Sequence, residues 1–372
     1  MPGPGLYVHV PFCHSDCTYC SFYRVSYRES AADAFLCALE RELSSVPRDP
    51  RPATLYVGGG TPSALREGQL ERLLTLLEPY RAPGQEFTVE VNPLSARAGK
   101  IAMLQAAGVS RVSFGVQTFD AVALQMLGRS HSPDDIERTF GRLRGSIPSI
   151  SFDLIFAHPG QTLEAWSRDL RAAIRLGPDH LSVYSLIHEP NTPLTRAIEA
   201  GTLRAADEEL ERAMFLETID QLEGAGFEHY EVSSYSRPGH RSQHNQAYWR
   251  QQDYVGVGPG ATGTLGNRRY TNARSLEAYV REIEASGVPP REEEHLTAED
   301  RIREHILLAL RTREGLSLDA FEALAGRSLE EYCGGKLSNL LELGLVHESA
   351  GQIRLTRNGL CVADRVIVEL MA

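Results

Sequence analysis

Apolar residues fall in short runs over the first two thirds of the chain, and helical periodicity follows each run. The runs that read as strands are Gly5–Val10, Thr54–Val57, Glu86–Val91, Arg111–Gln117, Ile150–Phe156 and His180–Leu186. Between and after them, apolar spacing predicts helices over Ala31–Leu43, Gln69–Glu78, Ile101–Ala107, Val122–Met126, Asp134–Leu143, Leu163–Leu176 and Leu210–Leu222. The strands look almost continuously apolar, as parallel strands buried on both faces should. Six strand-then-helix units predict an α/β fold with a parallel sheet and helices outside. Eight units would close a barrel, so six predict an open, partial (β/α)6 barrel. A different strand, His229–Tyr235, follows and bounds the barrel at residues 1–235.

From Ser236 the pattern changes. His244-Asn-Gln-Ala-Tyr-Trp249 precedes a glycine-rich run, Gly256 to Gly263, where backbone can approach a ligand closely. A helix is expected near Leu276–Ile283, and Pro289-Pro290 with the charged Arg291–Glu294 reads as a linker. Residues 236–290 are therefore set apart as a segment of their own. Residues 291–372 read as short helices with a hairpin over Val346–Leu355, a winged-helix-like domain. Its nine Arg and Lys stand against twelve Asp and Glu from Leu296 onward, which argues against docking on DNA.

The 372 residues suit one large domain and one small one, and a net charge of −11 disfavours a general nucleic-acid binder. No apolar run is long enough to span a bilayer, and the start lacks the pattern of a signal peptide, so a cytoplasmic protein is expected. Six cysteines should then stay reduced. Cys37, Cys333 and Cys361 lie on apolar faces of helical patterns and read as packing residues.

Cys13, Cys17 and Cys20 are different. They follow the first strand at i, i+4 and i+7, in a loop that can aim three thiolates at one centre. Thiolates are the ligands of iron–sulfur clusters. A closed zinc site needs four ligands, usually in two pairs, and no second pair lies nearby. Three thiolates suit a [4Fe–4S] cluster with one iron open to a small ligand. Three unrelated core cysteines are the competing reading, and such a loop offers them little to pack against. Other polar residues gather at or just past the strand ends: Gly58 to Thr61, Glu90, Asn92, Gln117 and Asp153. That is the face on which barrel enzymes build their sites. For His244 the residue types alone favour a loop-tying role, since a lone histidine is rarely a ligand.

Taken together, the cysteine triplet with Ser21-Phe22, Gly58–Thr61, Gln117, Gly128-Arg129, Asp153 and the HNQAYW stretch resemble the HemW-type haem chaperones of the radical S-adenosylmethionine (SAM) superfamily. The related oxygen-independent coproporphyrinogen III dehydrogenases carry a fourth cysteine where this chain has Phe22. The chain departs from its relatives at His158, usually Leu, and at Thr262, often His. The resemblance implies that Cys13, Cys17 and Cys20 hold the cluster and that its fourth iron chelates SAM. Tyr7 would lie beside the methionyl portion, Tyr19 would present backbone to the adenine, and Gly60 and Thr61 would approach the amino acid end, where a side chain would clash. Glu90, Gln117, Arg129 and Asp153 would contact ribose, carboxylate or sulfonium, and Ile187 and Ala261 would make apolar contacts with the adenosine. His244 becomes the first candidate for a haem contact, with Tyr248 and Trp249 as walls and His9, His14, His158, His188 and His240 as alternatives. The implied function is to bind haem and pass it to acceptors such as respiratory haem proteins. The resemblance also admits a homodimer and a peripheral membrane contact. The alternative is a radical enzyme, either a coproporphyrinogen III decarboxylase or a related methyltransferase.

Overall fold

The computed structural model describes residues 3–371. Six parallel strands form its centre: β1 (Gly5–Val10), β2 (Thr54–Gly59), β3 (Glu86–Val91), β4 (Arg111–Gln117), β5 (Ser149–Phe156) and β6 (His180–Ser185). The strand expected over His229–Tyr235 is instead a hairpin, β7 (Glu228–Glu231) and β8 (Ser234–Ser236), antiparallel to β6. On the other flank β9 (Tyr254–Val257) pairs parallel with β1, and β10 (Thr262–Leu265), β11 (Arg268–Asn272) and β12 (Arg291–His295) add antiparallel strands. The result is one sheet of twelve strands, ordered β12-β11-β10-β9-β1-β2-β3-β4-β5-β6-β8-β7. The stretch read as a linker is thus the edge strand β12, whose fully exposed Arg-Glu-Glu-Glu-His face protects an open edge with charge.

The strands are not apolar on both faces. Leu6, Val8, Val10, Leu55, Val57, Phe87, Val89, Val91, Val112, Phe114, Val116, Ile150, Phe152, Leu154, Leu181 and Val183 are all 4% exposed or less. They alternate with Tyr7, His9, Thr54, Tyr56, Glu86, Thr88, Glu90, Arg111, Ser113, Ser151, Asp153, His180, Ser182 and Tyr184. One face therefore meets the helices, and the other lines a polar lumen. The helices on the apolar side include α1 (Glu29–Ser44), α2 (Glu67–Leu77), α3 (Ala98–Ala106), α4 (Ala121–Met126), α5 (Pro133–Leu143), α6 (Leu163–Leu176) and α8 (Glu208–Gly224), whereas α7 (Pro193–Glu199) packs Leu194 on Ile155 and the Tyr19 ring at the cysteine loop. Their starts follow local chemistry: Ser132 and Asp135 make a capping box with Pro133 at the first turn of α5, and Asp207 caps α8. Trp166 of α6 is fully buried and donates from Nε1 to Thr218 Oγ1 of α8 at 2.9 Å.

The sheet is curled. Glu86, at the foot of β3, accepts from the backbone N–H groups of Gln243 and His244, both at 2.9 Å. The preceding N–H, on Ser242, reaches the Tyr230 hydroxyl, which also bonds His180 Nε2 at the foot of β6. Adjacent residues thus join strands three positions apart, which a flat sheet would hold roughly 14 Å apart. No pairing joins β12 to β7 among the described residues, so the barrel is partial, as expected.

After β11 comes α10 (Leu276–Ser286), and α11 (Ala298–Leu310) opens the C-terminal region. There, short helices surround a sheet of Leu316–Ser317, Gln352–Leu355 and Val346–Ser349, so the expected two-stranded wing carries a third strand. Of the three cysteines read as packing residues, Cys333 is buried, Cys361 is half-buried and Cys37 is exposed. The expectation for Cys37 is therefore corrected. It faces solvent from α1, beside the Arg72 guanidinium at 3.4 Å.

A buried acid ties the flank of the sheet to α1. Glu42 accepts from the Gly258 N–H at 2.8 Å, Asn272 Nδ2 at 2.9 Å and the Tyr279 hydroxyl at 2.6 Å. Burial pushes its carboxyl up, and these three donors oppose that shift. Glu42→Ala leaves three buried donors without an acceptor, and chemical denaturation should show a loss of about 3 kcal/mol, with Glu42→Gln losing less.

Candidate functional site

The carboxyl ends of β1 to β6 open on one side, and the cysteine loop lies across them. Two short parallel strands, Phe12–Cys13 and Val25–Ser26, brace its base. Tyr27 N–H donates to the Cys13 carbonyl at 2.9 Å, and Thr18 is held by the Leu127 and Met126 carbonyls at 3.2 and 3.0 Å. The approach of α4 is tight. A Cβ on Gly128, whose φ is +72°, would lie 2.6 Å from the Asp16 carbonyl oxygen, so only glycine serves there. All three thiols are free and half-buried. The Cys13 thiol lies 3.5 Å from Thr61 Oγ1, and burial pushes its pKa up. Among the described residues no three ligating side chains gather round a point closely enough for a single metal ion. A four-iron cluster instead takes thiolates spaced around its own width.

Beside the loop lies a cavity of about 760 Å³, lined by Cys13, Cys17, Thr61, Asn92 and Arg129 among others. Arg129 donates to the Tyr19 hydroxyl from Nε at 3.2 Å and Nη2 at 2.6 Å, and it has no carboxylate partner among the described residues. Burial pushes the Tyr19 hydroxyl up to about 12 despite that guanidinium. Gln117 sits at a bulge where β4 ends, with φ +70°, and is 6% exposed. Its carboxamide makes no hydrogen bond to another described residue, and a non-glycine residue held at positive φ at a strand end is a candidate ligand position.

Within the lumen, Glu90 accepts from the Tyr56 hydroxyl at 2.8 Å and the Gly59 N–H at 3.1 Å. Burial above all, with the like charge of Asp153, pushes Glu90 up to about 7. Asp153 accepts from Ser113 Oγ at 2.9 and 3.0 Å, and burial raises it too. Tyr7 bonds His9 Nδ1 at 3.0 Å, and His9 Nε2 bonds the Tyr23 carbonyl at 2.9 Å. The arrangement offers a free cation, a free amide and two carboxyl groups at the mouth of a polar lumen. Those are the partners that the carboxylate, amine and hydroxyls of SAM require, so the donor set fits that cofactor.

Several expected residues serve differently. Gly60 is needed, but a Cβ there would strike the chain's own backbone, 2.8 Å from the Phe12 carbonyl oxygen. The N–H groups of Gly60 and Thr61 are used by the Val10 and Phe12 carbonyls. Ile187 is 69% exposed just past β6, whereas Ala261 is 1% exposed and presents no surface to a ligand. Thr262 pairs with Thr271 across β10 and β11.

His244 lies at the opposite end of the barrel from the cysteines. It belongs to α9 (Gln243–Trp249), at the feet of β1 to β3, roughly 15–20 Å of strand away from the cysteines. Nδ1 bonds Thr54 Oγ1 at 2.7 Å, Nε2 bonds the Tyr248 hydroxyl at 2.8 Å, and the ring stacks on Tyr56. Burial lowers its pKa to about 3. Both ring nitrogens are thus engaged by protein hydroxyls in a buried pocket. Tyr248 completes the plug, and Trp249 lies under the Arg311 guanidinium of the C-terminal region. Of the alternatives, His9, His158 and His240 are tied to neighbours, while exposed His14 lines the cavity, using Nε2 on the Ala64 carbonyl at 3.0 Å. The residue-type reading missed Tyr56, Ser113, Ser182 and Tyr184, although the alternation of polar and apolar positions along the strands marks every one.

A family model described as the radical SAM superfamily matches residues 7–173, and one described as the HemN C-terminal domain matches residues 296–362. The chain is 36% identical to the heme chaperone HemW of Bacillus subtilis (strain 168), over 97% of each chain. It is 31% identical to the mitochondrial radical S-adenosyl methionine domain-containing protein 1 of Danio rerio, over 99% of this chain and 86% of that one. Among solved structures, coproporphyrinogen III oxidase (HemN) from Escherichia coli, described as a radical SAM enzyme, superposes with a TM-score of 0.85 at 26% identity, covering 100% of this chain and 91% of its own. The radical SAM superfamily implies a [4Fe–4S] cluster and SAM, which the site fits. The chain belongs to the HemW family within the radical SAM superfamily.

Proposed function

We propose that this protein is a haem chaperone: it binds haem together with a [4Fe–4S] cluster and SAM, and passes the haem to acceptor haem proteins such as respiratory enzymes. Kinship with haem chaperones along nearly the full chain carries this reading. Phe22 agrees with it, standing 70% exposed two positions after Cys20, where the dehydrogenase branch has a fourth cysteine. Cys13, Cys17 and Cys20 hold the cluster. Arg129 takes the carboxylate of SAM, Glu90 and Asp153 accept from its amine or hydroxyls, Gln117 turns its free amide to it, and Tyr7 and Tyr19 flank it. When bound, the cluster can supply an electron to SAM. The chain's own residues orient the cofactor and exclude water around it. Residues 1–235 are the cofactor-binding half-barrel, 236–295 close its base and flank, the boundary expected at 290 moving to 295 because β12 pairs with β11, and 296–372 form the helical domain docked beneath. No helix among the described residues is long and apolar enough to cross a membrane.

A second reading, a radical enzyme acting on a porphyrinogen, is favoured by the fold shared with HemN. One experiment separates the two. Anaerobically reconstituted protein with SAM should retain added haem through gel filtration, with a shifted absorption band, and should not convert coproporphyrinogen III when reduced. Conversion without haem retention would select the enzyme. Replacing Cys13, Cys17 and Cys20 with alanine together should reduce bound iron to background.

Glu90 makes a separate prediction. Its folded pKa is raised from the ordinary 4.5 to about 7. The stability it contributes is therefore complete below pH 4.5 and is lost as pH rises through about 7. In metal-free protein, urea denaturation should show wild type losing roughly 3 kcal/mol relative to Glu90→Gln across that window. Parallel curves for the two proteins would contradict the assignment.

A further inference from the structure

The cavity beside the cysteines has a cationic wall that the cofactor contacts above do not use. Arg66, Arg97 and Lys100 line it together with Arg129, and Glu67 is the one carboxylate among the lining residues. In a chain of net charge −11 this is a local inversion of sign. A second groove, of about 370 Å³, shares Leu94 and Arg97 with this cavity and adds Arg138 and Arg142. Arg138 pairs with Asp135 at 2.9 Å, and Arg66 pairs with Glu29. The guanidinium of Arg97 makes no ion pair or hydrogen bond among the described residues.

Lys100 is the less usual member. It is 9% exposed, and its ammonium donates to the Ser63 carbonyl at 2.7 Å. An ammonium has three donors, and the other two have no protein partner here. Burial lowers its pKa, and the positive charge of Arg97 adds to that effect. A buried cation with one carbonyl partner, beside an unpaired guanidinium, is costly unless an anion completes the group. Arginine forks match carboxylates through two parallel bonds. Leu94, 42% exposed on the same wall, offers an apolar contact beside the charges.

We propose that the Arg66, Arg97 and Lys100 wall is the subsite for the paired carboxylates of a tetrapyrrole cargo, with the macrocycle edge against Leu94. This deepens the haem-chaperone reading and rests on it. The carboxylate of SAM is the other source of the same chemistry. The assignment to the cargo follows from position: Lys100 reaches the turn at Pro62–Ala64, beyond the Gly58–Thr61 segment, whereas Arg129 is tied to Tyr19 inside the cluster loop.

The test uses cluster-loaded protein, titrated with hemin, with hemin dimethyl ester and separately with SAM. Wild type should bind hemin about tenfold more tightly than the diester, the scale of one or two charge-assisted hydrogen bonds. The double variant Arg66→Gln, Arg97→Gln should lose that preference while keeping its SAM affinity and its melting temperature. Both side chains are exposed, so folding is not at risk; Lys100→Met provides a second variant with the same expected loss. An undiminished preference in the double variant overturns the subsite. A parallel fall in SAM affinity overturns it too, by giving the wall to the cofactor. Equal binding of both porphyrins by wild type rejects the subsite alone, whereas binding of neither, with cluster and SAM intact, rejects the haem reading beneath it.

Discussion

The structure depends on a sheet with a wet face. Each strand turns every second side chain into the lumen, and most of those side chains are polar. A buried polar group without a partner costs on the order of 1–3 kcal/mol, so a lumen of this kind must be satisfied or filled. The chain satisfies one end and leaves the other open. At the foot of the barrel, Glu86, His180, Thr54 and Tyr230 are all bonded to residues 242–244 or to each other. Arg111 and Ser149 are likewise met by His240. The segment after β8 acts as a polar stopper, made of backbone groups and the imidazoles of His240 and His244.

The mouth is built on the opposite principle. Gln117 has an unpaired amide, Arg129 a guanidinium with only a phenol for company, and Lys100 an ammonium with a single carbonyl. Glu90 and Asp153 have raised pKa values because burial is only partly offset by their donors. Every one of these groups would be better placed with a ligand of opposite or complementary character. Rigid backbone holds them there: the cysteine loop is pinned by α4 at Gly128 and by the β2 turn at Gly60, where neither position has room for a Cβ. The scaffold therefore carries the cost of leaving the mouth unfinished, and the plug at the foot is part of what stabilises it.

The sequence made the architecture legible because strand-and-helix alternation is a local signal. All six central strands lie where the apolar runs predict, and the cysteine loop follows β1. What it concealed were properties that depend on pairing partners. His229 to Tyr235 reads as one strand because nothing in composition reveals that its middle is a turn. Arg291 to Glu294 reads as a linker because an edge strand exposed on both faces needs no apolar residue at all. The polar lumen was the avoidable miss. Thr54 and Tyr56, or Glu86, Thr88 and Glu90, alternate openly with apolar neighbours, and that period of two was read as a continuous apolar run.

His244 shows why residue type and a resemblance together do not place a side chain. An imidazole beside two aromatic rings suits a haem pocket by chemistry alone. It suits a hydrogen-bonded plug equally well, and only the register of α9 against the feet of β1 to β3 distinguishes the two. In the plug, Thr54 and Tyr248 each take one ring nitrogen, so the motif spends its imidazole on closing the barrel. Trp249 then carries the motif outward to Arg311, and Arg250 pairs with Glu314 at 3.2 Å. The same seven residues thus close the lumen and join it to the C-terminal region. A change in how that region sits would bear directly on the floor of the barrel, whose six central strands carry the ligand groups at their other ends.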